Sequence, residues 1–320
     1  MISRRLLFSV MIPALVALST SSASAATLKV VASFTVLADV VRQVGGDRVT
    51  VTSLVGPNGD PHEFEPSPSD ARNLNAAQVA FVSGEGLEGW MDRLISASGY
   101  KGKPVVVSEG ITFRTMDEDG QTVTDPHVWN SPVNVKIWVA NIEEALAKVA
   151  PADAAAFKTN AERYIKTLDG LDAYALSELA KIPEDHRKVL TSHDAFGYFG
   201  REYGVKFLAP IGVSTESEAS AAEVAKLIEQ IKAEHVKTYF FENSNDPRLV
   251  RQIAEATGAE PGGELYVEAL SDTKGPASSY EKMFRYNVDQ LVAAMGKASW
   301  RGSASIIEIE DDQATQAAIR

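Results

Sequence analysis

The 320-residue chain contains no cysteine. That absence excludes disulfides, thiolate metal sites, a cysteine nucleophile and a lipid-bearing cysteine behind a leader. The chain also has no run of Lys and Arg, and 31 basic against 43 acidic side chains leave a formal charge of −12. A protein that tracks phosphates needs a basic face, so nucleic acid is not an expected partner. Long apolar runs are missing too. Leu6–Leu18, interrupted by Pro13, falls short of the roughly 20 residues that span a bilayer. Histidine is scarce, at five. With no thiols, a transition-metal site would have to be built from His, Asp and Glu, so each histidine matters.

What is present is ordinary for a globular protein: 45% hydrophobic and 23% charged residues, in a length suited to about two domains. Met1–Ala25 reads as a secretory signal. Arg4 and Arg5 precede the apolar run, and Ala23-Ser24-Ala25 offers a small-residue cleavage site. Its removal would take the charge from −12 to −14, since Arg4 and Arg5 are its only charges. An exported chain without a lipidation cysteine is expected free in a periplasm.

Beyond the leader, strand-like and helix-like segments alternate. Strands are expected at Leu28–Ser33, Val49–Val55, Val79–Val82 and Pro104–Val107, with helices at Val36–Val44 and Leu87–Ala97. This order predicts a mostly parallel sheet flanked by helices. Ile137–Val149 is helical. Pro151 then suits the first turn of a long helix, Ala152–Ile182, weakened only by Gly170. The alternation resumes with strands at Val189–Thr191, Val205–Ala209, Thr238–Phe241 and Glu264–Val267. The helices of this half are Phe196–Tyr203, Ala221–Glu234, Pro247–Thr257, capped by Gly258, and Ser279–Met295. The reading is α/β, two lobes joined by one long helix. Its divisions are 1–25, the signal; 26–150, an N-terminal lobe; 151–182, the connecting helix; 183–298, a C-terminal lobe; and 299–320, a tail. Ile306–Ile309 in the tail is a candidate edge strand.

His62 and His127 each follow Asp-Pro, in GDPHEFEP and DPHVW. A preceding proline restricts the backbone and aims the imidazole, which a metal ligand needs and an ordinary turn histidine does not. His193, in TSHDAFGYF, stands at a strand-to-helix junction, the sheet edge where open α/β folds place ligands. The plainer reading there is a helix cap by Ser192 or Asp194. His186 and His235 lie in charged surroundings and read as surface. The ligand candidates are 65 and 66 residues apart, too far for a local zinc motif, so only the fold can unite them, in an inter-lobe cleft. A fourth donor is expected after the last strand, from Glu268 or Asp272. Three imidazoles and one carboxylate make a closed tetrahedral set suited to Zn²⁺, whereas Mn²⁺ favours more oxygens. A secreted zinc hydrolase, with Glu63 as base, is the rival reading.

The segments GDPHEFEPSP (59–68), GEGLEGWMDRL (84–94), DPHVW (125–129), TSHDAFGYF (191–199), FFEN (240–243) and MFRYN (283–287) together resemble the TroA-like solute-binding proteins of bacterial metal ABC importers, cluster A-I. The resemblance covers the mature chain. It implies two α/β lobes on one rigid helix, no catalysis, and a carrier that delivers Zn²⁺, or alternatively Mn²⁺, to a membrane permease. A periplasmic metallochaperone is a further implied partner, and the carrier is expected to be a monomer. By matching, His62, His127 and His193 fall on the family's ligands, and histidine at the third position points to zinc. Two features depart from the pattern. Glu268 stands where the family usually has Asp, and the loop Met116–Thr124 is short and acidic where many zinc members carry a histidine-rich insert.

Overall fold

The computed structural model describes residues 27–118 and 121–297. Its first lobe runs β1 (Leu28–Ala32), α1 (Thr35–Gly45), β2 (Val49–Ser53), α2 (Pro68–Ala76), β3 (Val79–Val82), α3 (Met91–Ser98) and β4 (Val105–Val106). The strands pair in parallel in the order β2-β1-β3-β4. Helices cover both faces, so the inner strands are apolar along their length, and all four residues of β3 are buried. A hairpin of β5 (Thr115–Glu118) and β6 (Gln121–Thr124) follows, where the sequence reads only as a polar loop.

Ser131 caps α4 (Pro132–Val149) by accepting the Asn134 N–H, and Pro132 fills the first turn, where no N–H is needed. The connecting helix α5 spans Ala154–Leu179, about 39 Å at 1.5 Å per residue. Its first half is tied to one lobe, the second to the other. Asn160 and Arg163 donate to the carbonyls of Val44 and Gln43 at the end of α1. Farther along, Tyr203 donates to Asp172, and Tyr174 donates to Asp289.

The second lobe contains β7 (Lys188–Leu190), α6 (Gly197–Tyr203), β8 (Lys206–Leu208), α7 (Ala221–Ala233), β9 (Thr238–Glu242), α8 (Arg248–Thr257) and β10 (Glu260–Leu265), then α9 over residues 280–297. Its parallel strands run β10-β9-β7-β8. Counted from each lobe's own first strand, both sheets have the order 2-1-3-4. One apolar core runs through both lobes, from Phe34, Trp129 and Trp138 to Phe199, Tyr203 and Phe284. A smaller one lies under α7 and α8, around Leu190, Leu227 and Ile253.

Element boundaries differ from the expected ones where glycine or proline intervenes. The helix expected from Leu87 starts at Met91, after a run of turns over residues 85–90 that opens with positive φ at Gly84, Glu85 and Gly86. Strand β10 starts four residues early, at Glu260. Its Pro261-Gly262-Gly263 reads as a turn, yet the segment pairs with β9 across a register shift. Among the described residues no helix is long and apolar enough to cross a membrane. The expected signal and the Ile306–Ile309 strand lie outside the described residues.

Candidate metal centre

Both Asp-Pro-His segments fold into the same local turn. Asp60 Oδ1 accepts the His62 N–H at 2.7 Å, and Asp125 Oδ1 accepts the His127 N–H at 3.0 Å. An aspartate that captures the N–H two residues on makes an Asx turn, and the intervening proline fixes the rest of it. Tryptophans hold these turns in place. Trp90 Nε1 donates to Pro61 O at 2.8 Å, and Trp129 Nε1 donates to Val267 O at 2.7 Å, beside Glu268. Asn130 Nδ2 donates to Ala195 O at 2.9 Å, joining the His127 and His193 loops.

His193 follows β7 and Glu242 ends β9, the two strands between which the second sheet reverses its winding. Ligands of open α/β sheets bind at this point. His62 follows β2 and Glu268 follows β10, so both lobes deliver residues to one buried place. Nε2 of His62 lies 3.3 Å from Nε2 of His127, which lies 3.3 Å from Nε2 of His193. Oε1 of Glu268 stands 2.9, 3.2 and 3.1 Å from the three nitrogens in turn. Donor atoms about 2.0–2.1 Å from one tetrahedral ion lie about 3.3 Å apart, so these five separations are close to the edges of a zinc-sized tetrahedron, and the sixth pair, His62 and His193, lies within 4.8 Å.

For His127 and His193 the far side of the ring settles which nitrogen is bare and faces inward. His127 Nδ1 donates to Asp125 Oδ1 at 3.0 Å, and His193 Nδ1 donates to Glu242 Oε2 at 2.5 Å. With those protons placed, the neutral rings of His127 and His193 each turn a bare Nε2 lone pair toward the centre. Lone pairs and a carboxylate facing one another need a cation or protons between them. Glu242 also accepts the N–H groups of Ser192 and His193 and an amide N–H of Asn245. Arg114 Nη1 donates to Asp125 Oδ2 at 2.5 Å. Gly197 leaves room for this pair, since a Cβ there would sit 1.3 Å from that guanidinium nitrogen and displace it.

Without a cation, protons carry the positive charge. Burial opposes charge on every group, but the opposite charges win. The His193 imidazole is held well above its usual value by Glu242 and Glu268. His127 is raised by Asp125 and Glu268, against burial and the His193 charge. Glu268 is held well below the carboxylate range by the His193 charge and by hydrogen bonds from all three histidines.

The structure thus brings His62, His127, His193 and Glu268 together, with ligand atoms all within 4.8 Å of one another. Asp272, the other carboxylate considered, is placed elsewhere. It is exposed and its Oδ1 accepts the N–H groups of Lys274 and Gly275, closing its own turn. Glu63 is exposed and is not one of the clustered residues. Neither Ser192 nor Asp194 caps α6, whose N-cap is Phe196 with no side-chain bond. His186 and His235 line a separate hollow in the second lobe. Sequence reasoning passed over Glu242, Arg114 and the orienting role of Asp125. The repeated Asp two residues before each His was the available signal for the last; nothing local announces Glu242, 49 residues from its histidine.

A family profile described as "ZnuA: Zinc-uptake complex component A periplasmic" matches residues 30–294. The manganese-binding lipoprotein MntA of Bacillus subtilis is 35% identical over 277 residues, spanning 84% of this chain and 90% of that protein. The iron-binding protein YfeA of Yersinia pestis is 31% identical over 278 residues, spanning 86% and 89%. The solved structure of the periplasmic zinc binding protein TroA from Treponema pallidum superposes with a TM-score of 0.78 at 31% identity, covering 85% of this chain and 99% of that one. Profile, relatives and architecture agree: the chain belongs to the ZnuA/TroA family of solute-binding proteins of metal ABC transporters, which are carriers and not enzymes.

Proposed function

We propose that this chain is the zinc carrier of such an importer. It captures Zn²⁺ on His62, His127, His193 and Glu268 and delivers it to the membrane permease. The observation that carries the reading is the set of four buried donors, five of whose six separations are 2.9–3.3 Å and all within 4.8 Å, three of them imidazole nitrogens. Nitrogen donors at tetrahedral spacing favour Zn²⁺ over Mn²⁺ in both affinity order and geometry. The names of MntA and YfeA, for manganese and iron, support the second reading of a carrier for one of those ions. Residues 1–25 would act as the export signal. The divisions 26–150, 151–182, 183–298 and 299–320 would be lobe, connecting helix, lobe and tail. The mature monomer, without a cysteine to lipidate, would be free in the periplasm, where a metallochaperone would be a further partner.

Competitive titration of Zn²⁺ against Mn²⁺, with metal analysis of protein purified without added metal, tests the reading. Zinc is expected to bind more tightly, and His193→Ala to weaken it by at least about a hundredfold, the scale of losing one of four ligands. Stronger binding of Mn²⁺ would overturn the zinc assignment. Unchanged zinc affinity in the variant would overturn the site.

A further inference from the structure

The carboxylate of Glu268 uses its two oxygens differently. Oε1 meets the nitrogens of all three histidines, at 2.9–3.2 Å. Oε2 accepts instead the hydroxyl of Ser244, at 3.2 Å. Ser244 lies two residues beyond the end of β9, in the run Glu242-Asn243-Ser244-Asn245. Each side chain of this run acts on the centre. Glu242 holds the far nitrogen of His193, and Asn245 Nδ2 donates to Glu242 at 2.7 Å. Asn243 grips the backbone on both sides of Glu268: its Oδ1 accepts the Val267 N–H at 3.3 Å, and its Nδ2 donates to Ala269 O at 3.1 Å. Ser244 then ties down the far oxygen of the side chain itself.

That tie matters because the last torsion of a glutamate is broad, and nothing within the side chain fixes how its carboxylate is turned. The turn decides how many oxygens a cation receives, since a carboxylate can give one or both. With one oxygen, Glu268 completes a set of three nitrogens and one oxygen, four ligands in all, which suits Zn²⁺. With two, the set grows to five and gains the oxygen character that Mn²⁺ favours. The Ser244 hydrogen bond occupies the oxygen that would make the difference.

We propose that Ser244 restricts Glu268 to one oxygen and is thereby a specificity-determining residue for the cargo. It acts through Glu268 and is a positioning residue. The proposal rests on the zinc reading of this centre and deepens it, by naming the group that keeps the site at four ligands.

Co²⁺ is the probe, because its visible absorption is several times more intense with four tetrahedral ligands than with five or six. The full chain and its Ser244→Ala and Ser244→Thr variants are loaded with Co²⁺, and Zn²⁺ is titrated against Mn²⁺ in all three. The wild type and Ser244→Thr, which keeps the hydroxyl, are expected to give the intense spectrum. Ser244→Ala is expected to give a weaker one per bound ion, and its preference for Zn²⁺ over Mn²⁺ to narrow about tenfold, within the range that hydrogen-bond partners of metal ligands contribute. A merely structural loss would lower both affinities together and leave the intensity per ion unchanged. An unchanged spectrum or an unchanged preference in Ser244→Ala, or the same changes in Ser244→Thr, would overturn the proposal. So would a weak spectrum from a wild type that still prefers Zn²⁺, an outcome that leaves the zinc reading standing. A wild type that prefers Mn²⁺ would overturn that reading and the proposal with it.

Discussion

A histidine becomes a metal ligand here through what is bonded to its far nitrogen. Glu242 accepts from Nδ1 of His193 at 2.5 Å and from two backbone N–H groups beside it, fixing ring and loop together. Glu242→Gln keeps the shape but puts an amide where the carboxylate stood, so the ring loses its charge-assisted bond and some basicity. Zinc affinity should fall about 10–100-fold, less than in His193→Ala, and competitive titration of both variants would show the order. An effect equal to the ligand deletion would mean that Glu242 does more than orient. The same electrostatics set the pH dependence. His127 and His193 are raised in the metal-free centre, so protons hold them at pH values where a free imidazole, near 6.5, is largely bare. Zinc must displace those protons. Affinity should therefore start to fall above pH ~6.5 as pH is lowered, by about tenfold per unit for each proton displaced. Equal affinities at pH 7 and pH 5 would contradict the assignment of these rings.

Among the elements, α5 offers the clearest case of a local rule set against a framework role. Gly170 lies exposed within this 26-residue helix, and a Cβ added there meets nothing within 4 Å. Gly170→Ala should stabilise the protein by about 0.5–1 kcal/mol through the lost freedom of the unfolded chain. Calorimetry would read this as a rise in Tm of about 1–4 °C with unchanged zinc affinity. A lower Tm, or altered affinity, would show that the connecting helix uses flexibility at that point. The helix was readable in the sequence because Ala, Leu, Lys and Glu dominate it and apolar residues recur at its period. So were β1, β3 and α8, whose apolar patterns and terminal glycine follow the same rules. The hairpin β5–β6 was not, because polar side chains on both faces give no alternation to detect. Strand β10 was hidden for another reason: its start is held by pairing with β9, a nonlocal contact that Pro261-Gly262-Gly263 does not advertise. His62 and His127 were legible from their Asp-Pro turns and His193 from its strand-to-helix junction, whereas choosing Glu268 over Asp272 needed the tertiary course of the loop after β10.

At the scale of the whole molecule, two sheets share one strand order, and one apolar core runs through both lobes. Large separation of the lobes would expose that core, and α5 is bonded to both of them, so the cargo must enter and leave by small local openings. Yet His62, His127, His193 and Glu268 are at most 5% exposed. Polar contacts between the lobes close the rim. Asn58 N–H donates to Leu270 O, Asn243 Nδ2 donates to Asn58 Oδ1, and Thr215 Oγ1 donates to Asp60 Oδ2 at 2.8 Å. The last of these is the most informative to break. The other oxygen of Asp60 holds the His62 N–H, so Thr215→Val removes the inter-lobe bond and leaves the ligand's turn intact. A partly buried hydrogen bond to a carboxylate contributes about 1 kcal/mol net, which corresponds to about a fivefold faster release. Stopped-flow transfer of zinc to a chelator should show that increase, with little change in the capture rate. Asp60→Asn disturbs both bonds and should weaken equilibrium affinity as well. If Thr215→Val released zinc at the wild-type rate, the opening would not pass through this contact, and the Asn58 contacts with Leu270 and Asn243 would become the place to look.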